Sequence, residues 1–381
     1  MKFIVNGALL AKALSPMSSV PQESKTLPLI TNFLFEIGEN DLTVTATDLE
    51  NAVSVKLPLE NVEKGKLSKV AVPAKLFLDF AKTFGDAPLT FLIDENTYAI
   101  EIRFGEGKYN IVGYDGEDFP VMSVLEGAAG ITLPATILVS GIDKTVPAVG
   151  SYSDQRPPMS GVFFDMKPEY FTMVGTNAHM LSRYRRYDLK SEQEASFIFP
   201  KKGLALLKNI MSQERDDNEV TIRYNVTNAQ VQIGKYVLTC RLCEGRYPNY
   251  EAAIPRDNPN RLEVNYSDFM HALKRVAIFA NQALGEVRLQ IKNTEMFLVS
   301  NDVEMSYSGK ERVVCSYEGE PIEIGFNANY LTGMVSTLDT DRIVMEFSTP
   351  SRPGIILPLS EKEEESPSED SLLLIMPITL N

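Results

Sequence analysis

Alternating apolar and polar positions predict that this chain is built mainly from β-strands. Three stretches share one pattern, an extended apolar run that ends in a polar turn. They are LTVTATDLE (residues 42–50), FTMVGTNAHM (171–180) and FLVSNDVE (297–304). Asp48, Asn177 and Asp302 hold matching positions in these stretches, 129 and 125 residues apart. A separation of that length is the size of a small domain, which indicates that the chain repeats a whole domain.

Two further anchors repeat with nearly the same period. A strand that runs into a helix begins at residues 72, 199 and 326, and a terminal strand closes on Pro120, Pro248 and Pro377. We therefore predict three homologous domains, residues 1–124, 125–251 and 252–381. Each domain should hold two helices packed on β-sheets, so the predicted fold class is α+β. The six predicted helices cover residues 7–16, 73–84, 134–146, 200–212, 266–281 and 327–338.

Helical periodicity in the fifth window separates a core face from an unusual surface pair. Phe269, Leu273 and Val276 share one apolar stripe at about 100° per residue. Ile278 falls opposite that stripe, and Phe279 lies on its flank. An exposed apolar pair on a helix predicts a contact between subunits, although single exposed apolar residues are common.

Charge is unevenly distributed between the predicted helices and the remainder of the chain. The formal net charge is −14 for 381 residues, which by itself argues against nucleic-acid binding. The six helix windows nevertheless sum to +6, which leaves −20 for strands and loops. If the helices share one side of the molecule, they form a basic surface that attracts phosphates without reading bases. Lysines that are merely solvated are the alternative.

Few residues are available for catalysis, metal binding or membrane insertion. Cys240 and Cys243 form a C-x-x-C pair, but an odd separation on a strand points the two sulfurs to opposite faces. The sequence has no second pair and only two histidines, so we expect no metal and no cofactor. The amino terminus indicates a strand turning into a helix rather than a signal peptide, and no apolar run reaches membrane-spanning length. A cytoplasmic protein without a membrane partner is expected.

Seven segments carry a resemblance to a known family. They are TLPLITNFLFEI (residues 26–37), TATDLE (45–50), GEDFP (116–120), GTNAHML (175–181), GRYPNY (245–250), IGFNANY (324–330) and LIMPITL (374–380). In their order and spacing the chain resembles the bacterial sliding-clamp family, the β subunits of DNA polymerase III. The resemblance implies a head-to-tail homodimer closed into a ring of six clamp domains, with helices facing double-stranded DNA and strands outside.

The same resemblance implies a non-catalytic processivity factor for DNA replication. Such a ring would tether the catalytic subunit of the replicative polymerase to DNA without regard to sequence, keeping its effective concentration high. The clamp loader and other proteins with a clamp-binding motif are the further implied partners. They would dock in an apolar peptide groove.

The resemblance carries over, position by position, to three sets of residues. The groove would use Met159, Thr176, Ala178, His179, Met180, Leu181, Pro248, Asn327, Tyr330, Met376, Pro377, Ile378 and Leu380. DNA would be faced by Lys12, Lys25, Lys75, Lys82, Lys144, Arg156, Lys201, Lys208, Lys274 and Arg275. The dimer interface would join Tyr109 and Ile111 of one subunit to Ile278 and Phe279 of the next.

Several groove positions depart from the family pattern. Ala178 stands where a glycine is common, and Met180 stands where an arginine is common. Ala252 and Thr379 also replace arginines. We therefore expect a more apolar and less basic groove, in which methionines adapt to several partners.

The sequence is also compatible with two other functions, and one further segment has a structural prediction of its own. His179 in a polar turn is compatible with a general base of a hydrolase, although no nucleophile motif or metal spacing accompanies it. A β-rich scaffold that binds proteins without encircling DNA is the second alternative. Residues 361–370 (EKEEESPSED) predict an acidic hairpin insertion between two strands.

Overall fold

The computed structural model describes residues 1–63, 65–122, 125, 128–151, 157–191, 194–214, 219–359 and 368–380. These residues form six α-helices, each beginning within one residue of the start of the window predicted for it. The helices are α1 (Gly7–Leu14), α2 (Ala74–Ala81), α3 (Ala135–Thr145), α4 (Lys201–Gln213), α5 (Tyr266–Ala277) and α6 (Ala328–Val335). The predicted helix positions are therefore confirmed, although five helices end one to four residues early and α4 ends one residue late.

Asparagine side chains begin three of these helices. The side-chain oxygens of Asn6, Asn265 and Asn327 each accept a hydrogen bond at 3.0 Å from the backbone N–H three residues later. Each asparagine is also the last residue of a strand, so one strand-to-helix junction recurs in the first and third domains. An asparagine cap of this kind satisfies a helix N–H that has no partner inside the helix.

Helix α5 confirms the predicted core stripe and corrects the position of the apolar pair. Phe269, Leu273 and Val276 are buried. The helix ends at Ala277, so Ile278 and Phe279 lie in the turn that follows it and not on the helix itself.

The described residues contain twenty-six strands in addition to the helices. In chain order they are β1 (Lys2–Asn6), β2 (Asn32–Ile37), β3 (Asp41–Thr47), β4 (Asn51–Pro58), β5 (Glu60–Glu63), β6 (Lys69–Pro73), β7 (Pro88–Ile93), β8 (Ala99–Phe104), β9 (Gly107–Val112), β10 (Tyr114–Asp115), β11 (Ala129–Pro134), β12 (Gly161–Met166), β13 (Phe171–Thr176), β14 (Met180–Arg186), β15 (Ala195–Pro200), β16 (Glu219–Tyr224), β17 (Asn228–Ile233), β18 (Tyr236–Arg241), β19 (Asn260–Asn265), β20 (Glu286–Lys292), β21 (Glu295–Asp302), β22 (Tyr307–Glu318), β23 (Ile322–Asn327), β24 (Arg342–Phe347), β25 (Gly354–Leu359) and β26 (Glu369–Ile375). The strands pair antiparallel.

A first compact unit comprises Met1–Val139 and Lys202–Leu242. It holds a five-stranded sheet in the order β5-β1-β7-β8-β9 and a nine-stranded sheet in the order β10-β6-β2-β3-β4-β18-β17-β16-β11. Strands β4 and β18 join the first domain to the second, with Cys240 opposite Asn51. Phe3 and Phe91 stack in its core with ring centroids 4.9 Å apart.

A second compact unit comprises Ser140–Lys201 and Cys243–Asn381. Its strands form one sheet in the order β15-β12-β13-β14-β26-β25-β24-β19-β22-β21-β20-β23. Strands β14 and β26 join the second domain to the third, with Met180 opposite Ile375. The same strand junction therefore closes each unit, as expected for a repeated domain.

The acidic segment differs from its prediction at its carboxyl end. Glu369 and Asp370 belong to strand β26, where they lie opposite Arg186 and Arg185. Residues 361–367 lie outside the described residues. Two of the acids assigned to a loop are thus strand residues with basic partners.

Candidate functional site

The turn between β13 and β14 is fixed by four hydrogen bonds. The Thr176 hydroxyl donates to the Met180 carbonyl at 2.7 Å and accepts from the Ala178 N–H at 3.2 Å. The Asn177 side-chain oxygen accepts from the N–H groups of His179 and Met180, both at 2.9 Å. Ala178 has φ +74°, in the left-handed region, which explains why a glycine suits this position.

The carboxyl-terminal tail docks against this turn. The Met376 N–H donates to the His179 carbonyl at 2.7 Å, and the Ile378 N–H donates to the Gly325 carbonyl at 2.9 Å. A Cβ at Gly325 would lie 2.4 Å from Cδ2 of Leu380, so the absent side chain makes room for the tail. Sequence reasoning missed Gly325, although IGFNANY contains it.

Helix α6 supplies the wall opposite the turn. The His179 and Tyr330 rings lie with centroids 6.3 Å apart and planes 25° apart. Asn327 caps the helix and also donates through its amide to the Leu284 carbonyl at 2.9 Å. The structure thus brings the turn, the tail and the start of α6 together. We call this site the C-terminal groove.

Burial separates the predicted groove residues into three groups. Thr176, Met180 and Leu181 are buried, and Met180 and Leu181 pack into two different core clusters because successive strand residues point to opposite faces of the sheet. His179 and Met376 are exposed. Half-buried groove residues are Met159, Pro248, Asn327, Tyr330, Pro377, Ile378 and Leu380. The accessible side chains of the site are mainly apolar, and its polar groups are the His179 imidazole, the Asn327 amide, the Tyr330 hydroxyl and nearby backbone groups.

Met159 and Pro248 lie on loops within the same compact unit. Met159 belongs to the short 3-10 helix Pro157–Ser160, and its carbonyl accepts from the Gly150 N–H at 3.0 Å. Pro248 follows Tyr247, whose hydroxyl donates to the Val174 carbonyl at 3.0 Å. Burial raises the pKa of Tyr247 far above its usual value.

Most of the predicted DNA-facing cations lie on the surface. The exposed ones are Lys12, Lys25, Lys75, Lys82, Lys201, Lys208 and Lys274. The Lys201 ammonium donates to the Val149 carbonyl at 3.4 Å. Arg156 lies outside the described residues.

Two of the predicted DNA-facing cations, Lys144 and Arg275, have carboxylate partners in the structure. The Lys144 side chain is only 14% exposed, and its Nζ lies 2.7 Å from a Glu369 oxygen. Arg275 makes a two-pronged ion pair with Glu311 of β22, with Nε 2.9 Å from one carboxylate oxygen. Both cations already have carboxylate partners that are distant in sequence, which a charge count over helix windows cannot detect.

A network of arginines on β14 was also missed by sequence reasoning. Arg183 lies 2.6 Å from Asp370, Arg185 lies 2.6 Å from Glu251, and Arg186 lies 2.9 Å from Glu369. The only signal was the run RYRR after the turn, which gives no hint of its partners. The arginines hold β26 and the second domain's last loop against β14.

The predicted interface residues are accessible on both compact units. Tyr109 lies on β9, the last strand of its sheet, and is exposed, while Ile111 is half-buried. The Tyr109 ring packs against Phe80 with centroids 4.9 Å apart. Ile278 is 76% exposed, and Phe279 beside it is also exposed. These side chains offer apolar surface next to an unpaired sheet edge.

The remaining candidates for redox or metal chemistry are the cysteines and the acidic side chains of the described residues. No group of three or more His, Cys, Asp and Glu side chains is placed there to hold a metal ion. Cys240 is buried, which raises the pKa of its thiol well above the usual value. Strand β18 ends at Arg241, so the prediction that the two sulfurs point to opposite faces of a strand does not extend to Cys243.

Within the described part of the chain, no helix is long and apolar enough to span a bilayer.

The family models and the relatives that match this chain all belong to one protein family. Three family models match in tandem: DNA polymerase III beta subunit, N-terminal domain, at residues 1–123, central domain at 132–249, and C-terminal domain at 251–377. The Beta sliding clamp of Vibrio cholerae is 26% identical over 381 residues, covering 100% of both chains. That of Escherichia coli K12 is 24% identical over 380 residues, again covering 100% of both.

Solved structures agree with this comparison. A DnaN sliding clamp from Bartonella birtlesii bound to griselimycin is 26% identical, with a TM-score of 0.89 and 100% of both chains covered. The DNA polymerase III subunit beta from Pseudomonas aeruginosa is 24% identical and shares the fold, with a TM-score of 0.91 over 100% of both chains.

Proposed function

Because the chain belongs to the family of DNA polymerase III beta subunits, and so is a DNA sliding clamp without catalytic activity, we propose that two copies close head to tail into a ring around duplex DNA. The observation that carries this proposal is the match of three family models, in order, along nearly the whole chain. We retain residues 1–124, 125–251 and 252–381 as the domain boundaries. The ring acts in the cytoplasm and holds a replicative polymerase on DNA.

Two unpaired strand edges support the closure of the ring. Strand β9 ends its sheet, and in the described pairing β22 meets β19 only from Cys315 onward, so its first half has a free side. Pairing β9 of one subunit with that half of β22 in the next would continue the sheet across the interface. Tyr109 and Ile111 on one side would then meet Ile278 and Phe279 on the other.

The C-terminal groove is the proposed docking site for partner peptides. Its apolar side chains suit the apolar anchors of an extended segment, and the His179 ring and nearby backbone groups would fix the orientation of that segment. The polymerase, the clamp loader and other partners with a clamp-binding motif would compete for it. We expect griselimycin to bind this chain as well.

We assign sequence-independent DNA contact to exposed lysines on the helices. Lys12, Lys75 and Lys82 on or beside α1 and α2, together with Lys274 on α5, are the best candidates, because they are exposed on helices that pack their other faces into the core. Mobile ammonium groups attract phosphates without fixing a register, which a sliding ring requires.

Release from linearised DNA tests the ring directly. A clamp loader and ATP place the protein on nicked circular DNA, the complex is isolated, and one cut then linearises the circle. We expect the protein to remain on the circle and to leave after the cut. Retention on linear DNA would show direct binding without encirclement, and failure to load would favour the scaffold alternative. A matched sample left uncut controls for spontaneous loss.

A further inference from the structure

An open cavity lies on the outer sheet face of the third domain. Its volume is about 630 Å³, and strands β20 to β23 form its floor. Gln290 and Lys292 in its lining alternate along β20 with the buried Leu289, so the cavity is on the sheet face that is turned away from the core. Phe297 and Lys310 line the same cavity from β21 and β22. We call it the domain 3 cavity.

After the last long strand of each domain, the chain runs along the edge of the strand that enters the second helix. One contact marks this path at the same position of the repeat, one residue before residues 72, 199 and 326. The three contacts are Tyr114 paired with Ala71, the Cys243 N–H donating to the Ile198 carbonyl at 3.0 Å, and the Ile378 N–H donating to the Gly325 carbonyl at 2.9 Å. The two interdomain linkers and the carboxyl-terminal tail therefore begin in the same way.

Beyond that contact, the linker of the second domain covers the sheet face with an aromatic residue and an acid. The buried Tyr250 donates its hydroxyl to a carboxylate oxygen of Asp165 at 3.2 Å. The Glu251 carboxylate lies 2.6 Å from Arg185 and 3.5 Å from Arg183. A tyrosine followed directly by a glutamate thus holds this linker against β12 and β14.

The linker of the first domain covers its own sheet face with the same two kinds of residue. Phe119 is buried against Leu34 and Ala71. A Glu117 carboxylate oxygen lies 3.9 Å from the Lys69 ammonium. In both domains, therefore, an aromatic ring and a carboxylate occupy this face of the sheet.

The third domain has matching basic positions but no linker carboxylate beside them. The arginines that hold Glu251 lie opposite the residues three and five places before Asn177 on β13. Lys310 and Arg312 lie opposite the residues three and five places before Asp302 on β21, and Asp302 matches Asn177 in the repeat. No described residue of the tail lines the domain 3 cavity. The face that a linker covers in the other two domains is therefore open here.

The Lys310 ammonium is available to a ligand. It lies 4.5 Å from the centroid of the Phe297 ring, and no carboxylate of the described residues forms an ion pair with it. Arg312 already pairs with Glu295 at 2.7 Å, so Lys310 is the better partner for an incoming acid. Closure of the ring would use the edge of β22, whereas Lys310 lines a cavity on the face of the sheet.

A hydrogen-bond acceptor for a tyrosine is also present in the cavity. Gln290 lies opposite Phe297, as Asp165 lies opposite Thr172 in the second domain. The side-chain oxygen of Gln290 can therefore accept the hydrogen bond that Asp165 accepts from the linker. Phe297 stands where the second domain has a threonine, and its ring adds apolar surface for an aromatic ligand.

We propose that the domain 3 cavity binds an extended segment of a partner protein in which a tyrosine is followed directly by an acidic residue. The tyrosine ring packs against Phe297 and its hydroxyl donates to Gln290, while the carboxylate pairs with Lys310. The segment takes the place that the linker holds in the second domain. This site is separate from the C-terminal groove, and the inference rests on the repeated fold rather than on closure of the ring.

Binding of the chain's own linker sequence to the full-length protein tests the site. The probe is acetyl-Arg-Tyr-Pro-Asn-Tyr-Glu-amide, which copies residues 246–251, and a second peptide carries Gln in place of the final Glu. The protein is labelled at isoleucine methyl groups for NMR, because Ile322 lines the cavity. We expect saturable shifts at Ile322 with the Glu peptide and about tenfold weaker binding of the Gln peptide.

Substitution of the cation isolates the carboxylate contact. Lys310→Gln should weaken binding of the Glu peptide by the same factor and leave binding of the Gln peptide unchanged. Lys66→Gln, at an exposed lysine of the first compact unit, is the matched control and should change neither. Both lysines are exposed, so each variant should keep the thermal midpoint of the parent protein.

Three results would overturn the inference. They are an absence of shifts at Ile322 at the highest peptide concentration, an equal response to both peptides, and unchanged binding of the Glu peptide by Lys310→Gln. Shifts confined to Ile378 would place the peptide in the C-terminal groove and would overturn it as well. None of these results depends on whether the ring passes the linearisation test.

Discussion

Ala178 has a strained backbone conformation that the hydrogen bonds of its turn maintain. Its φ of +74° lies in the left-handed region, where a Cβ is unfavourable and a glycine is not. The Ala178 and His179 N–H groups donate hydrogen bonds to the side-chain oxygens of Thr176 and Asn177, and these bonds hold the backbone there despite that cost. The strain is local to the turn of the C-terminal groove.

We predict that Ala178→Gly stabilises the protein. Relief of the left-handed strain outweighs the extra entropy of glycine in the unfolded chain, leaving a gain of about 0.5–1 kcal/mol. Urea unfolding followed by circular dichroism measures the difference. Ala11→Gly, in the middle of α1, is the matched control and should lose about 1 kcal/mol. An unchanged or lowered midpoint for Ala178→Gly would show that the turn is not strained.

At the scale of elements, the pairing of β14 with β26 is supported by a partly buried network of charges. Glu369 lies 2.7 Å from Lys144 and 2.9 Å from Arg186. Burial alone would raise the pKa of Glu369, but its contacts with Lys144, Tyr184 and Arg186 hold that pKa below the usual 4.5. A carboxylate with a lowered folded pKa stabilises the fold above its unfolded pKa, and that stabilisation is lost as the pH falls through the folded value.

Glu369→Gln should therefore destabilise the second compact unit in a pH-dependent way. Because the Glu369 side chain is 40% exposed, solvent screening limits the expected loss to about 1 kcal/mol at pH 7. The loss should shrink as the pH drops below 4.5 toward the lowered folded pKa, where the wild-type carboxylate also becomes neutral. Thermal unfolding of both proteins between pH 7 and pH 3 measures this. A difference that stays constant with pH would assign the effect to packing.

The elements that could be predicted from the sequence were those whose signal lies within a few neighbouring residues. Six helices and the first two copies of the turn could be located because apolar periodicity and an Asp or Asn three residues before a strand act within a few positions. Long-range partners could not be found that way. Lys144 looked like a free helix cation because Glu369 is far along the chain, and β26 gained two acids that composition had assigned to a loop.

The uneven distribution of charge between helices and strands can be explained only once the family of the protein is known. An acidic protein with basic helices could be a scaffold, and the net charge of −14 would discourage DNA binding. In a closed ring the lysines of the helices would face DNA while acidic strands face outward, so non-productive binding of DNA to the outside is opposed. Encirclement then makes weak phosphate contacts sufficient, because the ring does not need affinity to stay in place.

Closure of that ring depends most directly on Ile278, whose side chain would become buried between subunits. This side chain is 76% exposed in one chain, beyond the end of α5, and would be covered by Tyr109 and Ile111 of the next subunit. Ile278→Asp would place a charge in that apolar contact, where burying an unpaired carboxylate costs several kcal/mol. We therefore expect the dimer dissociation constant to rise at least a hundredfold, equivalent to about 2.8 kcal/mol.

Sedimentation equilibrium at micromolar protein measures that change without DNA. Val226→Asp is the matched control, because Val226 is 96% exposed in the turn between β16 and β17, which belong to a different sheet from β9. The control should remain a dimer, and Ile278→Asp should sediment as a folded monomer with an unchanged circular dichroism spectrum. It should also fail to stay on nicked circular DNA after loading. If Ile278→Asp remains dimeric, the subunits meet elsewhere and the pairing of β9 with β22 is wrong.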